Sequence, residues 1–407
     1  MDFFSSRELR RRGSQSETFS VTTRILKSGP MSSGIPSFDW NQLLPARSRI
    51  AAADSAPITH AGKIVLITGA GGSIGSALAQ AIAAQSPKLL ILLDHSEQNL
   101  YEIETALSSS STAPPFLAVL GDAGDRRLLA SLFEENRPSM LYHAAAFKHV
   151  PLMEANPFAA IRNNALVTWN LARLAAEHRV PQLLLISTDK AANPRSIMGA
   201  SKRLAELAIV RWPSPRTNCR AIRLGNVLGS HGSVVPLFLR QIARGQNLTV
   251  THKDVTRYFL TMDETVNSIC RVASLSTGDG LFLPEMGQPV KIRSVAEKLL
   301  ALTMPNIRNT LAIEFTGLRP GDKLTEDLLS PAETLEPTSI PGLSSIAAAP
   351  VSLGKLDAAF DLLDEQTQRR DLSALLETLC EMIPEYEPSV ALLERAPLPA
   401  TKSSHHG

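Results

Sequence analysis

The sequence predicts an α/β protein built on a doubly wound parallel sheet, with a smaller α/β part towards its C-terminus. Three observations predict it. Short, nearly all-apolar runs recur between residues 63 and 226, segments of helical spacing separate them, and the first run ends in a glycine-rich turn. Strands covered on both faces read as unbroken apolar stretches, and the intervening helices supply the cover.

Lys63–Thr68 is the first apolar run, and helical spacing follows over Ser73–Gln85. Lys88–Asp94 contains Leu-Leu-Ile-Leu-Leu, a second buried strand. Phe116–Asp122, Met140–Ala146, Gln182–Thr188 and Arg220–Asn226 complete the series, with helical patterns over Phe158–Arg179 and Ile197–Arg211. In such a sheet, ligands bind beyond the carboxyl ends of the strands.

Composition narrows the partners. The chain has 407 residues, 44% hydrophobic and 20% charged, with a formal net charge of +2. That suits one large or two modest domains and offers no single-signed field for nucleic acid or a membrane surface. Cys219, Cys270 and Cys380 are widely spaced and lack metal-ligand spacing, so buried thiols in a reducing, cytoplasmic setting are expected, with no metal. No run approaches the roughly 18 apolar residues of a membrane span. Arg7, Arg10, Arg11 and Arg12 are followed by no apolar core of a secretory signal. Residues 1–35 are rich in Ser, Gly and Arg and read as disordered, whereas Phe38–Pro45 is expected to dock on the domain. The closing His405-His406 pair reads as solvated tail.

The turn Thr68-Gly69-Ala70-Gly71-Gly72-Ser73-Ile74-Gly75 has a mechanical reading. Gly69 permits the tight turn, Gly72 lets a pyrophosphate approach the backbone, and Gly75 lets the helix pack on the strand. The helix opening at Ser73 offers free N–H groups and a positive dipole end to phosphates. Asp94 ends the next strand, where a carboxylate accepts hydrogen bonds from ribose hydroxyls and repels a 2′-phosphate, favouring NAD over NADP. Asp122 fits an adenine contact or a helix cap. The expected organisation is a mostly disordered segment 1–60, an NAD-binding domain 61–230, a substrate-binding region 231–387 interleaved with it, and a flexible tail 388–407.

Ser187-Thr188-Asp189-Lys190 closes the fifth strand, and Met198-Gly199-Ala200-Ser201-Lys202 follows. A Tyr-x-x-x-Lys pair would ordinarily stand there. Met198 has no proton to transfer, so the proton chemistry moves to Asp189 and Lys190. A lysine is normally protonated at neutral pH, so Lys190 serves as a base only if burial or Lys202 lowers its pKa. The plain alternative is a surface ion pair after a strand.

These motifs carry a resemblance. TGAGGSIGS (68–76), HAAAFKHVPLME (143–154), STDKAANPRSIMGASKR (187–203), RLGNVLGSHGSVVP (223–236), TRYFLT (256–261) and GLRPGDKLTEDLL (317–329) occur in order at family-like spacing. The chain resembles the extended short-chain dehydrogenase/reductases, and more narrowly the CapD-like nucleotide-sugar 4,6-dehydratases. It is similar in layout to the soluble members, although Met198 is similar to retaining-type members that are usually membrane-tethered. Lys253 departs from the family, where proline is common.

The resemblance implies a Rossmann domain holding NAD, a UDP-hexose substrate, a homo-oligomer and a role in surface glycan synthesis. It implies Lys190 as the C5 base, Asp189 as the acid at the C6 oxygen, Thr188 at the C4 oxygen and Lys202 at the nicotinamide ribose. Ile74, Ala144 and Ala146 would line the cofactor. Lys148, Asn164, Asn226 and Arg257 would contact the nucleotide sugar. Arg319 would clamp the pyrophosphate, with Glu326 orienting it. A sugar epimerase or reductase would use the same cofactor but needs a Tyr acid at position 198. A non-catalytic nucleotide-sugar sensor would keep Gly69 and Arg319 without needing Asp189-Lys190.

Overall fold

The computed structural model describes residues 40–45, 60–210, 216–275, 278–303, 311–348 and 352–396. The expectations for residues 1–39, 46–59 and 397–407 lie outside the described residues.

One nine-stranded sheet organises the described residues. Its parallel half comprises β1 (Ile64–Thr68), β2 (Leu89–Asp94), β3 (Phe116–Leu120), β4 (Met140–His143), β5 (Gln182–Thr188) and β6 (Asn218–Leu224), in the spatial order 3-2-1-4-5-6. The order reverses between β1 and β4, which opens a crevice at their carboxyl ends. Helices α1 (Ser73–Ala83), α2 (Glu97–Ser108) and α3 (Arg126–Asn136) cover the first half. Val65, Leu66, Ile67, Leu90, Leu92 and Leu141 have no exposed surface, as continuous apolar strands require.

The helical pattern over 158–179 is interrupted. After α4 (Val150–Ala155) and α5 (Pro157–Ala160), a π-helical stretch, Ile161–Leu166, precedes α6 (Val167–Glu177). One widened turn shifts the register and re-aims its side chains, a device common at functional sites. Helix α7 (Ile197–Val210) then runs back along the sheet.

The later strands are short. β7 (Asn226–Val227), β8 (Leu248–Val250), β9 (Thr256–Arg257) and β10 (Phe259–Leu260) lie among α8 (Val234–Ala243) and α9 (Met262–Ser274). β11 (Gly280–Pro284) joins the main sheet parallel to β6. β12 (Val290–Lys291) pairs with β9, and β13 (Ile313–Phe315) with β8, on either side of α10 (Ile292–Thr303). β14 (Thr334–Pro337) and β15 (Leu343–Ala347) extend the main sheet antiparallel.

Two terminal segments pack. Trp40–Leu43 forms a short 3-10 turn with Leu43 buried and its carbonyl accepting from Lys298 Nζ. At the other end, α11 (Leu353–Arg369), α12 (Leu372–Met382) and α13 (Val390–Arg395) build a second apolar cluster with Ile161, Trp169, Met198 and Leu204. Phe360 stacks on Trp169 with ring centroids 4.5 Å apart. Residues 388–396 therefore depart from the flexible tail expected from 388: Leu392 is buried, and Ser389 and Arg395 bond Glu154. Among the described residues, no helix is long and apolar enough to cross a membrane.

Candidate active site

The crevice starts at the glycine turn. Gly69 has φ 66°, and a Cβ there would lie 2.6 Å from the Ala145 nitrogen, so no other residue fits the approach of β1's end to the β4 loop. A Cβ on Gly75 would meet the Gly69 carbonyl at 2.0 Å, which fixes how closely α1 packs on the turn. Gly72 caps α1 without any side-chain hydrogen bond, leaving its first-turn amides facing the crevice mouth. Ser73 exchanges hydrogen bonds with His231, whose carbonyl accepts from Lys148 Nζ at 2.6 Å. Ile74 packs against the core.

Beside the turn is a pocket lined by Gly69, Asp94, His95, Asp122, Ala146 and Asn163, among others. Asp94 is buried at the end of β2. Its oxygens accept from the amides of Gly71 and Ser96, both at 2.9 Å. Each oxygen keeps further lone pairs for a ligand hydroxyl. Asp122 turns its own loop by accepting from Gly124, and the cap of α3 is Asp125. Ala144 continues β4 by bonding the Thr68 carbonyl. A dinucleotide fits these residues: amides without side-chain caps for its phosphates and a buried carboxylate for ribose.

The acid-lysine pair lies past β5 on a 3-10 turn, Asp189–Ala191. Asp189 is fully buried. Its Oδ1 accepts from Thr188 Oγ1 at 2.9 Å and from Lys190 Nζ at 3.0 Å, while Oδ2 has no partner. Lys190 also donates to Asn226 Oδ1 at 3.0 Å and lies 3.4 Å from Glu326 Oε1. Burial pulls the Lys190 pKa down, but Asp189 and Glu326 outweigh it, so the ammonium is held above its ordinary value. The condition for a basic Lys190, a pKa lowered by burial or by Lys202, is therefore not met. In this arrangement it is a fixed cation whose way to a free amine is to hand a proton to a neighbouring carboxylate.

Lys202 behaves oppositely. It is buried, donates to the Ile186 carbonyl at 2.8 Å, and burial lowers its pKa to about 8 against the opposing pull of Glu206. Its other two N–H groups remain available. Met198 is buried in the apolar cluster beneath, so no acid occupies the place of the missing tyrosine.

Several expected substrate contacts are otherwise engaged. Asn164 sits in the π-helical turn with no exposed surface. It accepts from the Phe147 amide and donates to the Phe147 carbonyl and Ser201 Oγ, all within 2.8–2.9 Å. A saturated amide positions the β4 loop against α7 and is not free to hold a sugar. Arg257 is tied to the carbonyls of Thr256 and Lys323 at 2.6 and 3.0 Å, so its fork braces the 317–329 segment. Glu326 does not orient Arg319. It is buried between Lys190 and Arg257, 3.4 Å from each. Arg319 is held by Asp322 at 2.8 Å with its side chain 56% exposed, and His149 nearby has its pKa lowered by burial first and then by Lys148 and Arg319. Arg319 and Lys148 thus gather positive charge at the mouth, beside a His149 biased towards its neutral form.

Supporting groups were invisible to sequence reasoning. The Glu154 carboxylate accepts from the Ile197 amide at 2.7 Å, filling the first turn of the helix that carries Lys202. Glu206, Arg223, Glu333 and Arg203 form a buried ion network that joins α7 and β6 to residues 328–333. His143, between Thr68 and Thr168, is held neutral by burial and by Lys202, its pKa lowered to about 3. Apart from the local Arg203–Glu206 pair, these partners are 17 or more residues apart, and only their charge in apolar surroundings could have flagged them.

Comparison with known proteins agrees with this geometry. Residues 65–348 match the family model described as polysaccharide biosynthesis protein. The chain is 44% identical over 274 residues to the capsular polysaccharide biosynthesis protein CapD of Staphylococcus aureus, covering 67% of this chain and 46% of CapD. It therefore spans about half the length of that relative. It is 30% identical over 275 residues to a UDP-N-acetylglucosamine 4,6-dehydratase (inverting) of Campylobacter jejuni, covering 66% of this chain and 78% of that enzyme. Among solved structures, Pen from Bacillus thuringiensis superposes with a TM-score of 0.64 at 27% identity, over 72% of this chain and 90% of Pen. DesIV, a dTDP-glucose 4,6-dehydratase from Streptomyces venezuelae solved with NAD and TYD, gives 0.56 at 20% identity, over 65% of this chain and 88% of DesIV. The fold is that of the Rossmann-type extended short-chain dehydrogenase/reductases, and the chain belongs to the polysaccharide biosynthesis protein family.

Proposed function

We propose that the protein is a nucleotide-sugar 4,6-dehydratase that converts a UDP-hexose, UDP-N-acetylglucosamine first among candidates, to a UDP-4-keto-6-deoxy sugar for glycan synthesis. The observation that carries the reading is the buried Asp189, paired with Lys190 at 3.0 Å and keeping one oxygen without a partner, in a site where Met198 replaces a tyrosine.

The amides of the 69–75 turn would hold the cofactor pyrophosphate, Asp94 the adenosine ribose, and Lys202 the nicotinamide ribose. The Asp94 charge favours NAD over NADP. Bound there, NAD supplies a hydride acceptor at C4 and later a hydride donor at C6. A ketone at C4 makes the C5 proton acidic. Proton transfer across the Lys190–Asp189 contact turns an ammonium and a carboxylate into an amine and a carboxylic acid. The amine takes the C5 proton, the C5–H electron pair becomes the C5=C6 bond, and the C6 oxygen leaves as water with the proton from Asp189. The pair returns to its charged form. As hydride reaches C6, Lys190 gives the proton back to C5, and it is recharged by the proton that the C4 hydroxyl released to solvent when the ketone formed. Each positioned acid or base contributes on the order of 10²–10⁴ in rate.

The relative named UDP-glucose 4-epimerase in Rickettsia rickettsii, 29% identical, supports a second reading. Met198 weighs against it, because epimerisation needs a proton donor where the thioether stands. Incubating the purified protein with UDP-N-acetylglucosamine and weighing the product separates them. A product lighter by one water supports the dehydratase, and a product of unchanged mass with inverted C4 supports the epimerase.

A further inference from the structure

We propose that Glu326 is a positioning residue for the C5 proton transfer: its carboxylate holds Lys190 as an ammonium against Asp189 and sets when that pair exchanges its proton. The chemistry it serves rests on the dehydratase reading, whereas the charge contact itself is measurable without turnover.

Three acceptors surround the Lys190 ammonium: Asp189 Oδ1 and Asn226 Oδ1, both at 3.0 Å, and Glu326 Oε1 at 3.4 Å. Each comes from a different element, namely the turn after β5, strand β7, and the 317–329 segment that closes the site from the other side. Arg257, on β9, lies 3.4 Å from the same Glu326 oxygen. Lys190 is therefore faced by two carboxylates, one amide and, behind Glu326, one guanidinium. Glu326 is 4% exposed and its Oε2 has no partner, so its charge acts at short range with little water to screen it. A carboxylate in that place favours the charged lysine, and Arg257 pulls the other way. The amine needed at C5 forms only when Asp189 accepts the proton in spite of Glu326. Glu326 thus keeps the pair in register and delays the exchange until a ligand alters the balance.

The test is trace acetylation of the full-length protein at about pH 9, where the amine form of a lysine is the minor, reactive species. Mass spectrometry would compare Lys190, whose side chain is 20% exposed, with the exposed Lys88. Removing the charge with Glu326→Gln should raise Lys190 labelling on the order of tenfold, and Glu326→Asp should leave it nearly unchanged. Equal labelling in the native protein and Glu326→Gln overturns the proposal. If the Gln variant does not fold, Arg257→Gln gives the opposite arm: labelling of Lys190 should fall, and unchanged labelling overturns the proposal. Where the native protein dehydrates its substrate, the alkaline limb of the Glu326→Gln pH profile should also move to lower pH, and an unmoved limb overturns it. A native protein that turns over no nucleotide hexose defeats the dehydratase reading but leaves the labelling comparison valid.

Discussion

Lys190 Nζ lies 3.0 Å from Asp189 Oδ1, while Asp189 Oδ2 is buried without a partner. One oxygen is thus spent on the counter-ion, and the other is held ready for a ligand group that can share a proton. Leaving a buried carboxylate oxygen unpaired costs free energy, a cost that a bound hydroxyl would offset.

Lys190→Ala and Asp189→Asn should each lower dehydration by on the order of 10²–10⁴ while dinucleotide binding survives, since neither touches the 69–75 turn. Parallel assays of product formation and of cofactor binding check this, and near-normal turnover in either variant would refute the assigned roles.

NAD should stay with the protein through purification, and NADP should bind at least about tenfold more weakly because a 2′-phosphate would meet the Asp94 carboxylate. Calorimetry with both cofactors decides it; comparable affinities would sink the assignment of Asp94.

Cofactor affinity should fall as pH rises through about 8, where buried Lys202 loses the charge expected at the nicotinamide ribose. The stability effect has the opposite sign. Because folding lowers this pKa from 10.5 to about 8, the unfolded chain binds more protons between those values, and the Lys202 contribution to stability rises with pH across that window. Titration of binding at several pH values, with Lys202→Met as the flat reference, tests the first statement, and denaturation midpoints test the second.

Met198→Leu should keep most activity, because a similar apolar volume is restored and no proton donor is lost. Met198→Tyr should fail to rescue Lys190→Ala. Full recovery of 4-keto-6-deoxy product in that double variant would mean that Lys190 is not the C5 base.

Glu333→Ala should destabilise the protein by about 3–5 kcal/mol, since it leaves Arg223, which has no exposed surface, with half of its carboxylate partners. A denaturant midpoint unchanged from the native protein would contradict that.

The parallel half of the sheet was legible because its strands are unbroken apolar runs, and β5 begins and ends where the pattern says. The glycine turn and the Asp189-Lys190 pair were legible because their chemistry is local. What the sequence hid was how much each polar group already spends on the protein itself. Asn164, Arg257 and Glu326 carry the right functional groups, but whether those groups are free depends on partners such as Ser201, Lys323 and Lys190, far away along the chain. The direction of the Lys190 shift was hidden for the same reason: it depends on Glu326, 136 residues later. The π-helical turn left no trace because its composition is that of an ordinary helix.

The C-terminal helices change what counts as the working unit. The family match ends at residue 348, yet Phe360 and Leu392 belong to the apolar cluster under Met198, and Ser389 and Arg395 clasp Glu154, the residue that fills the first turn of α7. Cutting the polypeptide at that border would strip the floor from beneath Lys202 while leaving every recognised motif intact. The family match and mechanical integrity therefore draw different borders on this chain, and the second reaches at least to Arg395.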